Sequence, residues 1–297
     1  MDASSRWTRR RFLHTAALAA ASMPLAGPSA SAAESPPPAQ GKIRVGCLSW
    51  CFHDLSPAVD PEPAIDVIGG LGFDGLEMIV TARRDLKDFW TDERIDRLRK
   101  KLGAPMLNIV SPWARELTGP TAYLPRYFEV DSPKPGEKFH IDIAPGFDWD
   151  RVWAAYVDTT RACLERAKAH GLKFSIEQHT HCLIPDAASF RGLWDAIRDP
   201  DLGYNMDAGW TMLQREYPPV AIHKVRRQLM NLHMRDIDGP MRRFVLAGEG
   251  VMDFKAVVDT LKTVGFTGFA SLEQDRYPGD MKETCRTYLR MMREYIG

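Results

Sequence analysis

A single closed barrel of eight β/α units, the (β/α)8 or TIM barrel, is the fold class that this sequence predicts. Three observations predict it. From residue 42 onward, short β-rich runs alternate with longer helical patterns, the rhythm of repeated βα units around a parallel sheet. Eight of those runs qualify as strands. Residues 42–297 have the length of one such barrel, typically ~250 residues, with no room for a second full domain.

The first strand is expected at residues 43–48, and a helix over 63–71 stops at Gly72. A Gly-Phe-Asp-Gly turn leads into the second strand, 75–80. Thr91 caps the next helix, with Asp92 and Glu93 in its first turn where the helix dipole favours anions. That helix ends at Gly103, before a third strand at 105–110. Residues 111–137 carry five prolines interleaved with Trp113, Tyr123, Tyr127 and Phe128, which reads as an ordered loop packed over some other part of the molecule. Strict alternation over 139–144 marks a fourth strand, followed by an amphipathic helix over 148–170. Four more strands are expected at 172–177, 203–207, 230–235 and 268–273. Asp253 is placed to cap a helix reaching Val264, and a last helix runs over 280–295.

The N-terminus stands apart from this pattern. Thr8-Arg9-Arg10-Arg11-Phe12-Leu13 is a twin-arginine stretch, an alanine-rich apolar run follows, and Ala30-Ser31-Ala32 is the small-residue pattern of a cleavage site. Residues 1–32 are therefore expected to be a signal peptide read by the twin-arginine export machinery, giving a periplasmic or secreted protein. The apolar run is shorter than the ~20 residues a bilayer span needs, so no stable membrane anchor is expected. Residues 33–41, with Pro36-Pro37-Pro38, read as a linker to a barrel over 42–297.

Lys plus Arg equals Asp plus Glu at 39 each, so no net field draws the chain to nucleic acid. The five cysteines lack zinc-ribbon spacing, and their odd number argues against a full disulfide framework. Cys47 and Cys51 are close enough in sequence to pair, but buried free thiols are the preferred reading. An oligomer is compatible with everything above.

The chemistry is expected where the last four strands end. Glu177 stands in Phe-Ser-Ile-Glu-Gln-His, Asp207 in Tyr-Asn-Met-Asp-Ala-Gly-Trp, His233 in Asn-Leu-His-Met-Arg-Asp and Glu273 in Ala-Ser-Leu-Glu-Gln-Asp. An apolar residue precedes each, and a loop-like stretch follows. All strand C-termini of a parallel barrel open on one face, so these groups should converge there. Carboxylates buried together need a compensating cation. Three carboxylates and one imidazole suit a single divalent ion, with Mn²⁺, Mg²⁺ or Co²⁺ favoured over Zn²⁺.

With this series, and with Gly248-Glu249-Gly250-Val251-Met252-Asp253-Phe254, the chain resembles the xylose-isomerase-like barrels, a family that includes sugar isomerases, ketose 3-epimerases and inosose dehydratases. The resemblance covers most of the chain after residue 42. It implies Glu177, Asp207, His233 and Glu273 as metal ligands, with Glu177 and Glu273 also exchanging protons with a small carbohydrate substrate. It further implies Glu77 as an acid binding a sugar hydroxyl, with a surface salt bridge as the other reading of that residue. His179, Arg235, His53, Trp113 and Trp210 are candidate substrate contacts, Trp50 a further wall of the site, and Arg242 or Arg243 a clamp on a substrate oxygen. Asp236 is placed to orient a metal ligand from behind. One departure from the family stands out. Ketose epimerase relatives often carry histidine three residues beyond the aspartate ligand, where this chain has Trp210, a replacement that suits an exposed platform for a larger glycoside.

The implied reaction is metal-dependent isomerisation or epimerisation. A carbonyl and its neighbouring hydroxyl chelate the cation, one carboxylate removes the adjacent proton, and the other returns one to the resulting enediolate. Loss of a β-oxygen instead would make the protein a lyase or hydratase of 3-keto-glycosides or keto-inositols. An exported, non-catalytic carbohydrate-binding barrel is the alternative of a different class. The apurinic endonucleases share the barrel, but they need several more histidines, one at the Trp210 position, and a basic face.

Overall fold

In a computed structural model of the chain, the structure describes residues 42–53, 60, 62–78, 91–94, 96–97, 108–110, 146–169, 171–179, 182–239, 243–274 and 279–297. The chain divides after Pro38, and every described residue belongs to the second unit, Ala39–Gly297. The expected signal segment 1–32, the linker 33–41 and the proline-rich stretch with Trp113 lie outside the described residues.

The elements run β1 (Arg44–Leu48), a 3₁₀ turn (Ser49–Phe52), α1 (Glu62–Leu71), β2 (Gly75–Glu77), β3 (Asn108–Val110), α2 (Trp149–Ala169), β4 (Phe174–Glu177) and α3 (Ala187–Ile197). They continue with β5 (Leu202–Asp207), α4 (Ala208–Leu213), α5 (Pro218–Val225), β6 (Leu229–Met234), β7 (Asp236–Ile237), β8 (Phe244–Val245), α6 (Phe254–Thr263), β9 (Phe269–Leu272) and α7 (Met281–Ile296). Among the described residues, seven strands form one sheet in the order β2-β1-β9-β6-β5-β4-β3, and every pairing in it is parallel. The first strand pairs with the last, in register from Arg44 with Phe269 to Cys47 with Leu272. That pairing curls the sheet on itself, as a barrel requires and an open doubly wound sheet does not show.

The strand expected at 139–144 lies outside the described residues, and β3 pairs directly with β4. The antiparallel ribbon of β7 and β8, two residues on each side, was not foreseen. Strands that short carry no readable alternation.

Alternation within the longer strands sorts the side chains. Phe174 and Ile176, Tyr204 and Met206, Leu232 and Met234, and Ala270 and Leu272 join the hydrophobic core beneath the helices. The intervening residues, Ser175, Glu177, Asn205, Asp207, Asn231, His233, Ser271 and Glu273, are also buried, on the opposite face of the sheet. The outer layer packs as its helical spacing demands. Cys285, Tyr288, Leu289 and Met292 form the buried stripe of α7. Asp253 caps α6 as expected, its Oδ1 accepting a hydrogen bond from the Ala256 N–H at 2.8 Å. Asp186 and Ser189 form a reciprocal capping box at the start of α3. Among the described residues, no helix is long and apolar enough to cross a membrane.

Candidate metal centre

Four neighbouring strands of the sheet, β4, β5, β6 and β9, deliver one polar group each to the same end of the barrel. Register does the alignment: Glu177 sits beside Asn205, Asp207 beside His233, and His233 beside Ser271, two residues before Glu273. The residue before each, Ile176, Met206, Leu232 or Leu272, is locked in the core, which fixes the direction of the side chain that follows. Glu177, Asp207, His233 and Glu273 are all buried, and each offers one ligand atom within 4.8 Å of the other three.

The backbone behind Asp207 is clamped. Its N–H donates to Oε1 of Gln178 at 3.0 Å, and its carbonyl accepts from Nε2 of Gln178 at 2.6 Å. Its own Oδ1 accepts from the Trp210 N–H at 2.7 Å and so caps α4. That leaves Oδ2 for other work. Nothing in the sequence reading singled out Gln178; the repeated Glu-Gln pairs at 177–178 and 273–274 were the available signal.

The imidazole of His233 is held from both sides. Nδ1 lies 2.8 Å from Oε2 of Glu273 and 3.1 Å from Oε1 of Glu177. Nε2 lies 3.0 and 2.9 Å from the two carboxylate oxygens of Glu77, and Oε2 of Glu77 also accepts from Nδ2 of Asn231 at 3.1 Å. The hydroxyl-binding role expected for Glu77 is thus not what its contacts describe, because both of its oxygens are engaged by protein groups.

Charge is the dominant feature of the site. Four carboxylates, those of Glu77, Glu177, Asp207 and Glu273, crowd around one imidazole and one guanidinium. Burial pushes the Glu177 carboxyl up, against the opposing pull of His233. Burial, reinforced by Glu273, drives Asp207 well above the usual carboxylate range. At Glu273, burial is outweighed by the Arg235 guanidinium and then by His233, which hold it down to about 2. His233 is driven well up despite burial, because Glu77, Glu177 and Glu273 surround it. Excess negative charge in a dry pocket calls for a cation. The orphaned atoms agree: among the described residues, Asp207 Oδ2 and Glu273 Oε2 are buried without a hydrogen-bond partner, the latter near Nδ1 of His233 but out of line for a hydrogen bond. Carboxylate oxygens with one imidazole nitrogen fit one divalent metal ion.

The remaining expected residues divide. Arg235 is at the centre, but as a buried partner of the carboxylates, not an open clamp on substrate. Its Nη1 donates to Oε1 of Glu273 at 3.0 Å, and its guanidinium lies 3.8 Å over the Phe244 ring, with Trp210 and Trp50 at 5.6 and 5.7 Å. Trp210 is not an exposed platform. It is partly buried, 3.8 Å centroid to centroid from His179 and edge-on to Phe244 at 4.9 Å. His179 therefore borders the site through Trp210. His53 is half-buried, 2.9 Å from Oγ of Ser49 in the turn after β1. Asp236 does not orient a metal ligand. Its carboxylate accepts from the backbone N–H groups of Ile237, Gly248, Gly250 and Met252 at 2.9–3.0 Å and ties the Gly-Glu-Gly-Val-Met loop to β7. Arg243 is an exposed loop residue, and Arg242 and Trp113 lie outside the described residues.

A curled parallel sheet with a buried carboxylate–histidine group at its C-terminal end defines a class of barrels. The comparison with known families gives that class a name: residues 65–295 match the xylose isomerase-like TIM barrel, and the chain belongs to that family. No curated protein sequence matches it. Among solved structures, a D-psicose 3-epimerase from Clostridium cellulolyticum H10, crystallised with D-tagatose, superposes with a TM-score of 0.65 at 18% identity, over 86% of this chain and 99% of that one. A 3-keto-D-glucoside 4-epimerase from E. coli gives 0.61 at 18% identity, over 85% of this chain and 100% of that one. A probable 3-DHS dehydratase from Bacillus anthracis gives 0.56 at 14% identity, over 84% and 99%. At such identities the likeness is one of fold.

Proposed function

We propose that this protein is a metal-dependent sugar isomerase or epimerase that works by proton abstraction next to a carbonyl. The observation that carries the reading is the pairing of Glu177 and Glu273. Their carboxylates approach the same nitrogen of His233, at 3.1 and 2.8 Å, inside a buried group able to hold a metal ion. Glu177, Asp207, His233 and Glu273 would hold one divalent ion, Mn²⁺, Mg²⁺ or Co²⁺ by their donor chemistry. When bound, the cation polarises the substrate carbonyl and offsets the charge of the enediolate.

The chain's own groups do the rest. One of the two glutamates removes the proton beside the carbonyl, and the other returns one from the opposite side. Return to the same carbon inverts it, whereas return to the neighbouring carbon isomerises the sugar. Arg235 balances charge at Glu273 and Asp207 while protons move. The aromatic residues around the guanidinium, Trp50, Trp210 and Phe244, exclude water from that side. The substrate we propose is a small carbohydrate, in keeping with the sugar epimerases that share the fold. The twin-arginine stretch and the Ala30-Ser31-Ala32 pattern support an exported protein working in the periplasm or beyond.

A second reading, elimination from a 3-keto-glycoside or keto-inositol, is favoured by one observation. Trp210 with His179 against it fills the side of the site where an Asp-x-x-His epimerase pattern would put a histidine. The same experiment separates the readings. Protein loaded with Mn²⁺, exchanged into Mg²⁺ for NMR, is incubated in D₂O with ketoses, inososes and 3-keto-glycosides, with Glu177→Gln as control. Deuterium beside the carbonyl with a new epimer or isomer supports the first reading, and an unsaturated product the second. No exchange on any of them, with sugar still bound, would mean a carbohydrate-binding barrel.

A further inference from the structure

We propose that Glu77 is a positioning residue for the metal centre: it fixes the imidazole of His233 with Nε2–H turned to Glu77 and the Nδ1 lone pair turned to the cation. The inference rests on the metal reading of the site but not on the identity of the reaction. Glu77 ends β2, beside Leu48 of β1, while His233 lies on β6, so the contact crosses the barrel interior. Both carboxylate oxygens of Glu77 lie within 3.0 Å of Nε2. A lone pair on Nε2 would be repelled at that distance, so the nitrogen there carries a proton. Nδ1 also faces carboxylates, those of Glu177 and Glu273, but these belong to the group that would hold the cation, so Nδ1 is the nitrogen whose proton the ion would displace. Nδ2 of Asn231 donates to Oε2 at 3.1 Å and keeps the carboxylate from swinging away.

Asn205 fits the same arrangement. Its Nδ2 is placed 3.0 Å from Nε2, and among the described residues its buried Oδ1 has no hydrogen-bond partner. Once Nε2 carries the proton, turning the amide by half a revolution, a choice that heavy-atom positions leave open, brings Oδ1 to the Nε2–H. Glu77 and Asn205 together accept from Nε2–H, and a neutral ring so held presents a lone pair only at Nδ1, between Glu177 and Glu273. Histidine ligands generally depend on such a partner for tautomer and orientation. Glu77 stands outside the four-residue group that could hold the ion, which separates its role from theirs.

A sugar-binding acid and a positioning acid fail differently when changed. Glu77→Gln in the full chain is expected to weaken Mn²⁺ binding, read by calorimetric titration, by roughly 10–100-fold. A residue that only bound a hydroxyl would leave Mn²⁺ affinity intact and raise KM. The unsubstituted protein supplies a test that needs no variant to fold. With Zn²⁺ as a diamagnetic probe, long-range ¹H–¹⁵N spectra should show His233 protonated at Nε2 and metal-shifted at Nδ1. A metal-shifted Nε2, unchanged Mn²⁺ affinity in folded Glu77→Gln, or absence of Mn²⁺ binding by the unsubstituted protein would overturn the proposal. Weakened Mn²⁺ binding with no turnover of any sugar would uphold it and sink only the proposed reaction.

Discussion

Nη1 of Arg235 donates to Oε1 of Glu273 at 3.0 Å and lies 3.6 Å from Oδ2 of Asp207, so one buried guanidinium serves two carboxylates of the metal-binding group. Oε1 of Glu273 is thereby committed, and Oε2 is left facing the centre.

Removing that guanidinium should leave buried negative charge uncompensated. Arg235→Met is expected to destabilise the metal-free protein by about 3–5 kcal/mol, the usual cost of breaking a buried ion pair from one side. Added Mn²⁺ should restore more stability to the variant than to the unsubstituted protein, because the cation then offsets charge that the guanidinium no longer does. Thermal unfolding with and without Mn²⁺ checks both points. An unchanged melting temperature would mean that the carboxylates are already protonated in the metal-free state.

The loop after β8 depends on a single carboxylate. Asp236→Asn replaces one of its oxygens by a donor facing N–H groups, and should cost about 2 kcal/mol or more. Hydrogen exchange at Gly248, Gly250 and Met252 should accelerate ahead of the rest of the barrel. Gly250→Ala should loosen the same loop, since a Cβ there would fall 2.2 Å from Oδ1 of Asp236 and from the carbonyl of Ile237. Normal protection of the three amides in Asp236→Asn would show that the loop is held by other means.

Much of this was legible in the sequence because strand ends are a local signal. Glu177, Asp207, His233 and Glu273 each follow an apolar residue at the end of a strand, and the strand C-termini of a parallel barrel open on one face. The structure adds that Ser175, Asn205, Asn231 and Ser271, two residues before them, are buried on that same face of the sheet. What joins distant strands was not legible. Glu77 was read as a sugar contact because its meeting with His233, 156 residues away, depends on closure of the barrel. Asp236 was misread for a similar reason: three of its four partners are backbone N–H groups 12 to 16 residues on, and backbone donors have no signature in side-chain identity. Trp210 looked like an exposed platform because the sequence says nothing of Phe244 and His179 closing on it.

At the outer wall, Asp74 accepts from Arg293 through both guanidinium nitrogens, at 2.7 and 2.9 Å, and from the Val45 N–H at 2.8 Å, stitching α7 to the start of the sheet. Burial works against its charge, but Arg293 and the Val45 amide win and lower its pKa. A carboxyl depressed on folding contributes stability above its ordinary pKa near 4, and loses it as pH falls through the lower, folded value. Asp74→Asn should therefore reduce stability at pH 7 by about 1 kcal/mol, the pair being partly open to water, and much less at pH 2–3. Paired denaturation curves at the two pH values test this; an equal loss at both would assign the effect to packing.

Metal binding should be linked to protons. In the metal-free protein His233, Asp207 and Glu177 all bind protons more tightly than usual. For His233, that raised pKa stabilises the metal-free fold fully below the ordinary value near 6.5, and the contribution is lost as pH climbs through the folded value. Protons must leave as the cation enters, so Mn²⁺ affinity should rise with pH from 6 to 8. Titration in buffers of different ionisation enthalpy should register the released protons. Affinity independent of pH would place the ion elsewhere.

The most direct measurement is metal stoichiometry by equilibrium dialysis against Mn²⁺, with atomic emission readout, on the unsubstituted chain and on Asp207→Asn and His233→Gln. One ion per chain, lost or strongly weakened in both variants while their circular dichroism stays native, is the predicted result. Binding of no ion by the unsubstituted protein, or of one ion unaffected by either substitution, would contradict a metal centre at Glu177, Asp207, His233 and Glu273.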